Sequence, residues 1–349
     1  MQSIYKRIFA IISILGLLFL GACIDIIDLP TENKSEGIII VDANLELSSR
    51  SANVQIRQAA DFAAGPDGVE LPVGGANVRI QEIGGAEVSL VETETGVYTS
   101  ETAIGEEGKS YQLFIEVNGE SYESGVENMP ERVPFDFIDH VQREESFNNS
   151  QGNIETQEVV AIRSTTNLPN NGEGIFLRYR ASGVYQFNER VSINDKICYV
   201  PEKIDNNQLT IIDGSTLNNG VLNEQEFLLK RVDNRLAKRY CFTLFQISIT
   251  ENEYNFWTAI EDEFARTGDI FETPPAKING NIFNSVNTRN DIIGLFSVTA
   301  SDSAKYVITG SQVGFSRGPC EGFPPPAQGS PCFNCLLIQN ATYQEPDCF

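Results

Sequence analysis

Lys6 and Arg7, the apolar run from about Ile8 to Leu20, and then Leu20-Gly21-Ala22-Cys23 constrain this chain more than any other stretch. A basic start, an apolar segment and small residues before a cysteine make a lipoprotein signal peptide, residues 1–22. The run is shorter than the roughly 20 apolar residues that cross a bilayer. Cleavage before Cys23 and acylation of its thiol, with palmitate for example, leave a chain tethered by lipid and otherwise in water. The remainder of the chain is therefore expected to be a water-soluble fold in an oxidising compartment. The alternative is an ordinary secretory signal with an incidental cysteine.

Residues 23–36 read as the lipidated tether. From Gly37 the texture is β: Ile38-Ile39-Ile40-Val41, then Ala76-Asn77-Val78-Arg79-Ile80 with period two, then Val88 to Val91 behind Gly84-Gly85. Gly96-Val97-Tyr98-Thr99-Ser100 and Tyr111 to Val117 come next, and Asn118-Gly119 sits where a tight hairpin turns into Ser121 to Ser124. Short strands with turn signals every 8 to 12 residues predict a sandwich of immunoglobulin or transthyretin type over 37–131, closed by Met129-Pro130.

The second unit, 132–349, is predicted to be a larger β domain. Val159 to Arg163, Ile175 to Arg180, Leu209 to Ile212 and Phe242 to Ile249 read as strands, and polar Glu144 to Glu155 reads as a loop. One amphipathic helix stands out. Thr250 can cap it, with Glu253 three residues on as in a capping box. Tyr254, Trp257, Ile260, Glu261 and Phe264 recur at helical spacing, and Gly268 stops it. The aromatic face is expected to pack on a sheet. The whole is mainly β, two sandwich-like units and one helix.

With Cys23 lipidated, Cys198, Cys241, Cys320, Cys332, Cys335 and Cys348 remain, an even set whose expected state outside the cytoplasm is disulfide. The expected pairing joins Cys198 to Cys241 and places two bridges among the last four. Cys332-Phe333-Asn334-Cys335, with Cys320 and Cys348, also offers four thiolates for zinc. The spacing is unlike that of a paired knuckle, and disulfides are preferred. The formal charge of −23 becomes −25 once Lys6 and Arg7 are removed. Such a surface repels nucleic acid.

Gly268-Asp269-Ile270-Phe271 and onward through Pro274-Pro275 to Asn279-Gly280-Asn281-Ile282, then Gly294-Leu295-Phe296, Cys332-Phe333-Asn334-Cys335 and Pro346-Asp347, carry a resemblance. The chain resembles the Bacteroidota lipoproteins grouped as domain-of-unknown-function 4249, over nearly all of its length after Cys23. The end departs from the pattern: members often finish on Trp after a Pro-rich turn, and Cys348-Phe349 stands here. The resemblance implies an outer-membrane lipoprotein, often encoded near TonB-dependent receptors, with no established activity and no catalytic residues. Asp25 and Asp28, close behind Cys23, are a weak form of a surface-export signal. Asp302-Ser303-Ala304 matches a short O-glycosylation consensus of that phylum, with Ser303 as acceptor.

Catalytic patterns are sparse. The single histidine, His140, would have to serve any Ser-His-Asp or Cys-His site, and no Gly-x-Ser-x-Gly elbow is present. Glu261, Asp262 and Glu263 fall on different helix faces and do not pair as acid and base. The acidic loop from Asp61 to Asp67 lacks a calcium-loop pattern. Pro324-Pro325-Pro326 predicts a stiff loop between cysteines. The resemblance, with the lipoprotein start, the two β units and these absences, implies a non-enzymatic accessory or ligand-capture lipoprotein of a TonB-dependent receptor, without cofactor or metal, binding a small molecule or peptide. A structural or adhesive surface protein is the alternative, and a carboxylate hydrolase the third reading.

Overall fold

The computed structural model describes residues 38–59, 71–149, 151–190, 196–204, 210–264, 278–286, 292–315, 317–321 and 326–349. Cys23, the tether, the 61–67 loop, Leu209, Gly268, Pro274-Pro275 and Pro324-Pro325 lie outside them. Among the described residues no helix is long and apolar enough to cross a membrane.

The chain is mainly β. Its first part forms β1 (Ile39–Glu46), β2 (Ser51–Gln58), β3 (Leu71–Pro72), β4 (Asn77–Glu82), β5 (Glu87–Ser89), β6 (Val91–Glu94), β7 (Val97–Thr99), β8 (Ser110–Val117), β9 (Glu120–Ser124) and β10 (Glu127–Asn128). Then come β11 (Phe137–Asn148), β12 (Ile154–Asn167), β13 (Phe176–Asn188), β14 (Ile197–Lys203), β15 (Ile211–Asp213), β16 (Val221–Arg231) and β17 (Arg239–Ile249). Helix α1 (Glu251–Phe264), β18 (Ile282–Asn284) and β19 (Ile292–Thr309) complete the order.

Among the described residues three sheets form. The largest has the order β14-β13-β17-β19-β1-β2-β7-β6, with β15 beside β13 and β3 beside β2. The second runs β18-β9-β8-β4-β5 with β10 on β8, and the third is β11-β12-β16. Alternation in the strands sends one set of side chains inward. Val41, Ala43 and Leu45 of β1 meet Ile80, Leu113 and Ile115 in a first core. Leu177 and Tyr179 of β13 and Phe242 and Leu244 of β17 meet Ile162 and Phe227 in a second. Met129 belongs to the first core and Val133 to the second, so the chain changes core near the expected junction at 131. Later segments return to the first core. β18 pairs with β9, and β19 runs parallel to β1 before pairing antiparallel with β17.

Local chemistry explains the turns and crossings. Asn118 and Gly119 take φ of 54° and 80°, as a two-residue hairpin between β8 and β9 requires. Tyr98, fully buried, accepts the Ala76 N–H at 2.9 Å, which accounts for the Gly96-Val97-Tyr98 run. A Cβ on Gly280 would fall on the Gly294 carbonyl oxygen, so bare backbone is needed where the chain crosses β19. Asn281 beside it acts as a strand: it accepts the Phe296 N–H at 2.7 Å and donates to the Phe296 carbonyl at 2.9 Å. The same amide nitrogen lies 2.8 Å from Oε1 of buried Glu127, which also accepts from Asn252.

Two expectations are corrected. Glu144 to Asn148 is strand, not loop, because β11 pairs with β12 through Asn148↔Ile154. Side-chain contacts along the strand are Arg143 on Glu226, Ser146 on Thr156 and Arg231 over Phe147. The disulfides join Cys198–Cys335, Cys241–Cys348 and Cys320–Cys332, with Cα separations of 6.0, 6.1 and 5.4 Å. Cys198 and Cys241 do not pair because β13 lies between their strands, Cys198 facing Phe187 and Cys241 facing Val184. Two strand spacings come to about 10 Å, beyond the roughly 7 Å that a disulfide spans. Of the four thiolates considered for zinc, Cys320 and Cys332 bridge each other, and Cys335 and Cys348 bridge Cys198 and Cys241.

Removing the side chain in Asn281→Ala is expected to cost about 2–4 kcal/mol of stability, read by denaturant unfolding. Non-reducing peptide mapping is expected to recover the three bridges above. A Cys198–Cys241 peptide would overturn that arrangement.

Candidate functional site

The face of the large sheet turned away from the first core carries a different set of residues. Asp42, Asn44 and Glu46 alternate with Val41, Ala43 and Leu45 on β1. Parallel pairing sets Asp42 beside Leu295, Asn44 beside Ser297 and Glu46 beside Thr299. On β13, Arg178 and Arg180 alternate with buried Leu177, Tyr179 and Ala181. Register places Arg178 opposite Ile247 and Arg180 opposite Phe245, and β17 in turn sets Phe245 opposite Ser303.

These side chains line two adjoining hollows. One, of about 480 Å³, lies between α1 and the sheet, with Asp42, Asn44, Arg178, Arg180, Trp257 and Leu295 in its walls. The next, of about 420 Å³, continues over Asn44, Arg178, Arg180, Phe245, Thr299 and Ser301. Shared Asn44, Arg178 and Arg180 make them one groove, and each part has the size of a small-molecule site.

Helix α1 roofs one end. The Thr250 hydroxyl accepts the Glu253 N–H at 3.3 Å, so the expected cap forms. The reciprocal half of the capping box does not, because the Glu253 side chain turns inward, where only 1% of the residue is exposed. There Oε1 accepts the Trp257 indole N–H at 3.0 Å and lies 3.6 Å from Arg178 Nε. The aromatic face packs on the sheet as expected, with Tyr254 at 4.9 Å from Phe176. Trp257, however, covers the Arg178 guanidinium at 4.8 Å. Arg180, two residues on and exposed, lies 4.8 Å over the Phe245 ring.

Burial raises the Glu253 carboxyl above its ordinary range, and the Arg178 charge and the Trp257 and Ser297 hydrogen bonds pull it back only in part. Burial also lowers Arg178, against the attraction of Glu253. Each partner is pushed towards neutrality, so desolvation outweighs an ion pair at 3.6 Å. Arg178 keeps its charge because a guanidinium starts so high. Nε of Arg178 and Oε2 of Glu253 are buried without a hydrogen bond. At the other end Glu46 is held by the Thr299 hydroxyl at 2.9 Å and the Ser301 N–H at 3.0 Å.

Of the site and helix-face residues singled out from sequence, Trp257, Ile260 and Ser303 line this groove and the others described lie outside it. Ser303 is exposed on β19 at the rim of the second hollow. His140 sits on β11 with Nδ1 2.7 Å from the Tyr306 hydroxyl. Glu261 and Asp262 are exposed on α1. The six cysteines tie the C-terminal segment to β14 and β17 and to itself. Sequence reasoning missed Arg178, Arg180 and Glu253. The available signal was two arginines at i and i+2 in the apolar run from Phe176 to Arg180, a periodicity that places both on one face of a strand.

Because the folded state raises the Glu253 carboxyl, the native protein binds this proton more readily than the unfolded chain. Its contribution to stability therefore falls as pH rises out of the ordinary carboxylate range through the raised value. Relative to Glu253→Gln, the native chain is expected to lose melting temperature as pH rises above the ordinary carboxylate range. A difference that does not move with pH would refute this origin.

A comparison with curated proteins found no match. The model of a family described as a domain of unknown function (DUF4249) matches residues 24–305. The sandwich, α1 and the groove fall within that span, and the chain belongs to this family.

Proposed function

We propose that the protein is a non-enzymatic, lipid-anchored ligand-capture component of the outer membrane that works with a TonB-dependent receptor. The observation that carries the reading is the groove, where a ring-braced arginine and a row of hydroxyl and amide side chains are held on a rigid sheet face. Cys23 supports the anchor, and the charge of −23 supports a soluble body that avoids nucleic acid. The polar groups best suited to chemistry are already engaged in scaffold contacts: Glu253 with Trp257, Glu46 with Thr299 and Ser301, and His140 with Tyr306. That favours binding over turnover.

Full-length protein solubilised from its own outer membrane in mild detergent is expected to bring down a large β-barrel in comparable amount. Cys23→Ser is expected to abolish both lipid labelling and that recovery. Recovery of the protein alone, together with cleavage by protease on whole cells, would make it an adhesive or structural surface protein instead.

A further inference from the structure

We infer that the groove takes an acidic saccharide, with Arg180 as the contact for its carboxylate. The inference rests on the groove being the capture surface, and it adds the class of ligand.

Arg180 is one of few described arginines without a carboxylate partner; Arg231, over Phe147, is another, but of the two only Arg180 lines the groove. Acidic residues outnumber lysine and arginine 48 to 25, so carboxylates are in excess around almost any cation. Arg143 pairs with Glu226, Arg163 with Asp139, Arg235 with Asp233 and Arg239 with Glu345. Arg180 is exposed, yet has no carboxylate partner among the described residues and is braced on Phe245. With its guanidinium carbon 4.8 Å from the Phe245 ring centroid and no carboxylate against it, Arg180 keeps its fork of donors for a ligand, and that fork matches a carboxylate. Its neighbour Arg178 is packed against Glu253 and Trp257 and contributes field more than contact.

The surroundings of Arg180 suit a sugar. Asn44, Ser49 and Ser303 line the second hollow and offer donors and acceptors to hydroxyl groups, whereas the Thr299 and Ser301 hydroxyls are held by Glu46. Phe245, Ile247, Leu295 and Trp257 provide apolar faces among them, and such faces suit the C–H side of a sugar ring. The two hollows together are elongated, as an oligomer needs. A peptide added to a sheet would use a strand edge and its unpaired backbone groups, whereas this groove lies on a sheet face. Asp42 and Glu46 in its walls disfavour a densely charged polymer and fit a ligand with sparse carboxylates.

The test is calorimetric titration of the full lipidated protein in detergent with a galacturonic acid trimer, a neutral galactose trimer and a glutamate tripeptide. Saturable binding of the acidic trimer is expected. Binding of the neutral trimer, and of the acidic trimer to Arg180→Gln, should each be weaker by roughly tenfold or more. Arg180 is exposed, so the variant should melt with the native chain, and added salt should weaken the native complex. Equal affinity for both sugar trimers, undiminished in Arg180→Gln, would overturn the acidic class and leave capture standing. Preference for the tripeptide would overturn the saccharide. Binding of none would overturn this inference, while the receptor pull-down decides the capture reading separately.

Discussion

The parallel ladder between β1 and the first half of β19 is the contact on which the rest depends. It joins segments more than 250 residues apart, Ile39 to Glu46 with Ile292 to Thr299. Parallel strands need a crossover, and here the crossover contains the rest of the first sandwich, most of the second core and α1. Because β19 is 18 residues long, its start packs Phe296 and Val298 into the first core and its end packs Ile308 into the second. One strand thus serves two cores, and its other face becomes the floor of the groove. The crossing is tight enough to need Gly280 against Gly294, and Asn281 continues the hydrogen bonding where a strand cannot fit.

Away from the ladder, buried polar groups rather than apolar ones define the geometry. Glu127 collects amides from Asn252 of α1 and Asn281, which fixes the helix relative to the returning chain. At the other end Glu202 accepts Lys230 at 2.8 Å and the Tyr240 hydroxyl at 2.6 Å, and it contacts Arg235. Burial lowers Lys230 and raises Tyr240, so this cluster carries a desolvation cost that only complete hydrogen bonding offsets. The bridges Cys198–Cys335 and Cys241–Cys348 then hold the C-terminal segment across β14 and β17. They close long stretches of chain, where a cross-link limits the unfolded state most.

The strands and the helix are legible in the sequence because their signals are local. Val41, Ala43 and Leu45 show period two, and Thr250 with Tyr254 and Trp257 shows a capped helix with an aromatic face. The β11 extension is not legible, since Glu144 to Asn148 holds one apolar residue, Phe147, and its partners on β12, Ile154 to Glu158, are nearly as polar. Glu253 fills only half of its expected capping role, because the pull of Trp257 and Arg178 on its side chain is tertiary. The groove is least legible of all. Each of its residues looks like an ordinary outward-facing strand position until four strands are placed side by side.

By itself the sequence determined the class of fold, the family, an even set of cysteines and the strand faces, because periodicity, turn residues and composition act over a few positions. Only the tertiary structure decided which cysteines meet, that the first sandwich is completed by residues beyond 280, and that Arg178 and Arg180 stand over β17 beside a buried glutamate. Those outcomes depend on strand order and register. Strand order is set by how two cores are filled at once, a condition that no short window of residues contains.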